Sequence, residues 1–378
     1  MTTIVHAAGA AELLAAIPVL TGFAPRDSLV LLPFRGSRTA GALRFDLPHP
    51  APDGPSAEEF AATAIGLACR VPETDALALA VYTDEGDSSA GAPSALPRAL
   101  LVAELVRRAE ACGLHIVEAL HVGSESWADY RDPSASPRPL DEVPDAPAIP
   151  GFAGPAPDQF SGTELPDPGL FAGESVGRAL IALERLLGSA APGRKAPARK
   201  DPIDPRASEM ADMLDDLPAF LETVLDAPES LPPFATAALI WILDRPALRD
   251  VALVQWASTI DHGDRALSAQ LLHRRTRSAV PADVGGLLIG QGPRPDRDRL
   301  GVALTLVRCT AGLAPRDARG GPLAAAAWLS WAVGRSTHAA QYLDRAQEVD
   351  PKLSFAQLLR AVIDAGMLPD WSFSDAAA

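Results

Sequence analysis

Two patterns of apolar residues divide this chain. From Leu29 to about Val122, short apolar runs take turns with segments of helical period, which predicts strands over 29–34, 42–47, 76–82 and 114–121 and helices over 56–70 and 96–112. Ahead of them, an amphipathic stretch over 10–20 is stopped by Gly22 and Pro25. The turn residues Arg26, Asp27 and Ser28 then lead straight into the buried run Leu29-Val30-Leu31-Leu32. Ser56 with Glu59 forms a capping-box pair, and Gly113 suits a helix end. The first two strands read as a hairpin across 35–39, and the later strands, each preceded by a helix, read as parallel, so a mixed sheet is expected. Beyond Ser208 the period is helical alone, with helices expected over 209–225, 233–243, 247–260, 265–272, 299–311, 323–333, 336–349 and 354–365.

The fold class that follows is an α/β N-terminal domain, a mixed sheet with flanking helices, followed by an all-α C-terminal domain. Ten prolines between Pro133 and Pro168 oppose both helix and central strand, and the expected division is 1–132, a linker over 133–175, and 176–378. In 327–351, Gly334 at the turn, Ala339, Leu343 and Ala346 at close-packing spacing, and Asp350-Pro351 at the end resemble one tetratricopeptide hairpin. A single hairpin is short of the three or so repeats an array needs.

A net charge of −15 opposes attraction to phosphate backbones and anionic lipid, so neither nucleic acid nor membrane is an expected partner. The longest apolar runs, 234–243 and 322–333, fall short of the roughly 20 residues of a membrane helix. Cys69, Cys112 and Cys309 lie far apart without metal-site spacing, and no secretory leader is read at the start, which together fit a cytoplasmic protein. Two basic stretches, Arg194 to Lys200 and His273 to Arg277, read as a solvated loop and a helix end. The glycine pairs at 285–286 and 290–292 lack a phosphate-loop pattern and read as loops. Trp328 and Trp331, three apart, share a helix face and read as core.

Ligands of α/β sheets gather at strand ends, which singles out Asp46 after the second strand, Asp84 and Asp87 after the third, and His121 at the end of the fourth. Arg26, Asp27 and Ser28 adjoin them as a pocket mouth, with Arg26 available to an anion. Turn geometry accounts for the same residue types, since Asp and Ser satisfy their own backbone. No nucleophile elbow surrounds Ser28, no catalytic or metal set is assigned, and no cofactor is indicated.

The segments ELLAAIPVL and GFAPRDSLVLL, the pair Arg249-Asp250, and the C-terminal block from Ala326 to Trp371 together resemble an actinobacterial family catalogued as domain of unknown function 4192. The resemblance implies an α/β half and a helical half, and brings no catalytic residue with it. Where many relatives carry cysteines after an aromatic segment, this chain runs Trp127-Ala128-Asp129-Tyr130-Arg131-Asp132-Pro133 without one. Two functions stand open on this reading. One is a non-enzymatic module that docks a protein partner through the helical half. The other is a small-molecule enzyme or ligand sensor holding a metal or phosphorylated ligand at the strand ends. Oligomeric state is open.

Overall fold

The computed structural model describes residues 9–374 except 40, 49–53, 86–95, 133, 148, 150–153, 168 and 189–201. The chain forms two compact units, Met1–Ser161 and Gly162–Ala378.

The first unit is built on a mixed sheet. In chain order its elements are α1 (Ala10–Thr21), β1 (Ser28–Arg35), β2 (Arg38–Thr39), β3 (Leu43–Asp46), α2 (Ala57–Ala68), β4 (Ala76–Tyr82), α3 (Ala99–Ala111), β5 (His115–Val122), β6 (Ser126–Asp129) and β7 (Arg138–Pro139). The sheet order is β2-β1-β4-β5-β6-β7, with β3 also pairing β1. As expected, β1 is antiparallel to β3 and β4 runs parallel to β5, while β2, in the stretch expected as the hairpin loop, also pairs antiparallel with β1. The strand β6, expected as loop, returns antiparallel on β5 and is followed by β7. Trp127 is the buried residue that makes this short segment a strand.

Alternation along the central strands sorts the two faces. Leu29, Leu31, Leu77, Leu79, Val81 and Ala119 pack with Ala61, Ala64 and Ile65 of α2 and Val102 and Leu105 of α3. Val30, Leu32, Ala78, Ala80 and Leu120 pack with Leu13, Leu14 and Ile17 of α1. Both faces are covered, so β1 and β4 are apolar without interruption where they cross the core. At α2 the capping box forms as read, Ser56 and Glu59 each bonding the other's backbone amide.

The second unit is helical: α4 (Leu170–Leu187), α5 (Pro205–Met213), α6 (Leu217–Thr223), α7 (Pro233–Leu243), α8 (Pro246–Trp256), α9 (Ile260–Thr276), α10 (Ala282–Leu288), α11 (Arg297–Leu313), α12 (Gly320–Ala332), α13 (Ser336–Val349) and α14 (Ser354–Asp364). Every residue of α12 is buried, and α7, α8, α11, α13 and α14 pack around it. A helix apolar on all sides belongs at a core centre. Four tryptophans tie helix ends together by donating to backbone carbonyls: Trp256 to Leu221 (3.1 Å), Trp328 to Leu288 (2.9 Å), Trp331 to Met367 (2.8 Å) and Trp371 to Ala332 (2.9 Å). Core packing of Trp328 and Trp331 is thus as read.

Three expectations are corrected. The helix over 209–225 is broken: Asp216 caps Ala219 N–H at 3.1 Å and Pro218 opens a new helix, α6. Gly285 and Gly286 lie inside α10 rather than in a loop. Helix α4 went unread because its residues fall in the proline-rich stretch and its flank, yet Val176, Ala179, Leu180 and Leu183 give it a buried stripe. The basic loop at 194–200 lies outside the described residues.

Candidate functional site

The register of the first unit puts the sequence candidates along one sheet edge. Ser28 pairs with Asp46 on one side and with Tyr82 on the other, and Tyr82 pairs with Val122, the residue after His121. This edge holds the C-terminal ends of the parallel strands β4 and β5. Along it the candidates divide between the two faces. Ser28 alternates with Val30 and faces the α1 side, where it accepts a hydrogen bond from Arg44 Nε at 2.8 Å. The Arg44 guanidinium also pairs with Asp46, so a residue the sequence reading passed over joins two candidates. His121 alternates with Ala119 toward the α2 and α3 side, buried, with its ring edge-on to Tyr130 at 6.2 Å. Asp84 is exposed just past β4, and Asp87 lies outside the described residues.

Arg26 and Asp27 form the turn that enters β1. Asp27 takes a left-handed conformation at φ 43° and its carbonyl accepts from Leu47 N–H at 2.9 Å. Short polar residues tolerate that region best, which is the physical sense of Asp at this position. The Arg26 backbone is held from both sides by the buried amide of Gln159, which accepts from Arg26 N–H at 3.1 Å and donates to Arg26 O at 3.0 Å. Nearby, on the α3 side, Arg98 pairs with Glu85 at 2.6 Å and donates to Pro48 O at 3.0 Å. Among the described residues no group of three or more His, Cys, Asp or Glu side chains is placed to hold a metal ion.

A second constellation lies in the helical unit, on the seam between α11 and α13, both of which pack on α12. Arg297 opens α11 and Arg308 lies three turns on. Arg335 immediately precedes α13, and Tyr342 and Arg345 follow along it. At one end of the seam the chain segment around Glu164 lies across the arginines. Arg308 donates to Glu164 O at 2.7 Å and Arg345 to Thr163 O at 2.8 Å. Tyr342 is fully buried there, with the Arg308 guanidinium beside its hydroxyl.

The electrostatics of the seam match this placement. Backbone amides of Glu164 and Gly162 hold the Glu164 carboxyl below its usual range, and Arg345 and Arg308 add to that. Burial pushes the Tyr342 hydroxyl up, against the pull of Arg308 and Arg345. At the other end, crowding by protein and then repulsion from Arg297 and Arg308 lower the pKa of Arg335. The side chains of Arg297 and Arg335 make no ion pair or hydrogen bond among the described residues. Glu164 is the counter-charge at one end, while Arg297 and Arg335 repel each other at the other end, and guanidinium forks fit carboxylate or phosphate in a bidentate way.

The sequence reading missed this seam. Arg297, Gly301, Leu304 and Arg308 do fall at helical spacing, the signal for a shared face. That side chains of α11 come near those of α13, each helix packed on α12, is tertiary and has no local signature.

Comparison with curated proteins and with solved structures finds no match. The family model described as "Domain of unknown function (DUF4192)" matches residues 11–370, from the first turn of α1 to the turn that carries Trp371. That span takes in both units, the elbow at Arg26–Ser28 and the arginine seam alike, and the chain belongs to the DUF4192 family.

Proposed function

We propose that the protein is a non-enzymatic interaction module whose helical unit docks an acidic segment of a partner protein along the α11–α13 seam. The observation that carries this reading is the set Arg308, Arg335 and Arg345 around buried Tyr342, with Arg297 near enough to Arg335 to repel it. The segment at Thr163 and Glu164 illustrates the mode of binding, since its carbonyls take guanidinium hydrogen bonds at 2.7 and 2.8 Å. A short acidic segment suits the site better than a long polyanion. The chain's net charge of −15 repels extended anions at range, whereas a few carboxylates feel chiefly the local arginines. The α12–α13 hairpin, turned at Gly334 (φ 82°), would supply the tetratricopeptide-like frame for this docking.

Fluorescence anisotropy with a labelled Asp/Glu-rich peptide tests the reading. Binding is expected to weaken about tenfold or more in Arg335→Ala, the scale of one charge-assisted hydrogen bond, and to fade as salt rises. Unchanged affinity in an Arg297→Ala/Arg335→Ala variant overturns it. Arginine-dependent binding of a sugar phosphate in preference to the peptide would move the site to the ligand-sensor reading.

A further inference from the structure

The three cysteines are separated widely in sequence, yet the fold brings two of them together. Helices α2 and α3 pack side by side on one face of the sheet, and each leads into a parallel strand, α2 into β4 and α3 into β5. Two helices that precede parallel neighbouring strands on the same face run in the same direction and end at the same sheet edge. Here it is the edge where Ala76 pairs with His115, at the opposite end of the strands from the candidates Ser28 and His121. Small residues near those ends, Ala68 on α2 and Ala109 on α3, are fully buried and let the helices approach closely. Cys69 caps the C-terminus of α2 and Cys112 caps the C-terminus of α3. Both are exposed, and Cys112 is the side chain that acts on the Cys69 thiol from across the helix pair. Cys309 belongs to α11 in the other unit and is half-buried.

We propose that Cys69 and Cys112 are a dithiol site that closes to an intramolecular disulfide by exchange with a low-molecular-weight disulfide. The thiolate of one cysteine attacks a sulfur of the small disulfide, forming a mixed disulfide and expelling one small thiolate, which takes up a proton. The second cysteine, deprotonated, attacks the protein sulfur of that mixed disulfide. The Cys69–Cys112 bond forms and the second small thiol leaves. Two protein thiols lose two electrons in total, and the small disulfide is reduced to two thiols. The second step is fast because the two cysteines close helices that end side by side at one sheet edge, so the mixed disulfide does not accumulate. Partial burial together with the neighbouring Cys112 sulfur pushes the Cys69 thiol up, so exchange is expected to accelerate with rising pH.

The test treats the purified full chain with oxidised glutathione, alkylates the remaining thiols and maps peptides without reduction. The expected result is a Cys69–Cys112 linked peptide, with Cys309 the cysteine that stays alkylatable, and full recovery of thiols on adding dithiothreitol. Cys69→Ser and Cys112→Ser should each hold a stable mixed disulfide on the remaining partner. The proposal is overturned if both cysteines of the wild-type chain stay alkylatable under conditions that load the single variants. It is equally overturned if each carries its own glutathione, or if linkage runs between molecules.

Discussion

Gly320 and Gly321 open the central helix α12, and adding one methyl group to each should have opposite effects. A Cβ on Gly321 would lie 2.6 Å from Leu243 O, 2.6 Å from Asp244 Oδ1 and 2.7 Å from Leu243 C, at the end of α7. Two of these atoms are backbone, so relief requires α7 and α12 to move apart in a core where every α12 residue is buried. Alanine at 321 would also precede Pro322 in the helical region, which that proline disfavours. Overpacking of this kind costs about 2–3 kcal/mol. For a unit of this length that is a fall in Tm of roughly 4–12 °C. A Cβ on Gly320 meets only Leu353 Cδ2 at 3.7 Å and Val349 Cγ1 at 3.8 Å, ordinary contacts. Gly320→Ala should therefore gain about 0.4–1 kcal/mol by restricting the unfolded chain. Thermal unfolding followed by tryptophan fluorescence reads this unit well, because Trp241, Trp256, Trp328, Trp331 and Trp371 lie in it and only Trp127 lies in the other. A Gly321→Ala variant that melts within about 1 °C of wild type would refute the close approach of α12 to α7.

Two further predictions concern charge. Arg249, which is 5% exposed, pairs with Asp250 at 2.8 Å and stacks on Phe355 at 3.8 Å, so this arginine–aspartate pair has a packing role. Removing it as Arg249→Ala strands a largely buried carboxylate and should cost about 3 kcal/mol in urea unfolding, with much of that loss recovered in Arg249→Ala/Asp250→Ala; equal losses in both variants would contradict the pairing. A hydrogen bond from Arg107 and then one from Arg108 hold Glu104 down to about 2. Its folded pKa thus lies below the unfolded value of about 4.3, so the stability it contributes is present above about 4.3 and is lost as pH falls through about 2. Carbon-detected NMR titration should show Glu104 ionised at pH 3 and returned toward about 4.3 in Arg107→Ala/Arg108→Ala, and an ordinary wild-type titration would contradict it.

Strand β4 and helices α7 and α13 were legible in the sequence to the residue. Each is bounded by local punctuation: Asp75 before Ala76, Pro232-Pro233 before the α7 run, Gly334 and Asp350-Pro351 around α13. Helix α9 was read too short because its period is faint, with only Gly263 and Ala266 buried along it, although Thr259 caps His262 N–H at its start. Candidate residues were legible as an edge, because strand ends follow from strand positions. Their division between two faces was not, since Arg44 and Gln159 act across the sheet and across the chain. The meeting of Cys69 with Cys112 follows from two helices ending at one edge, which required the strand order first.

Where an acidic segment lies on the helical unit can be read directly from the α11–α13 seam. Gly301 sits on exposed α11 surface between Arg297 and Arg308, and a side chain there meets nothing within 4 Å; Gly66 on α2 of the other unit is equally open. A photocrosslinking amino acid placed at 301, and as a control at 66, would report directly where a bound Asp/Glu-rich peptide lies. Docking along the seam should give strong capture from 301 that is lost on adding Arg335→Ala, and background capture from 66. Equal yields from the two positions, or no capture from 301 while the peptide still binds, would contradict it.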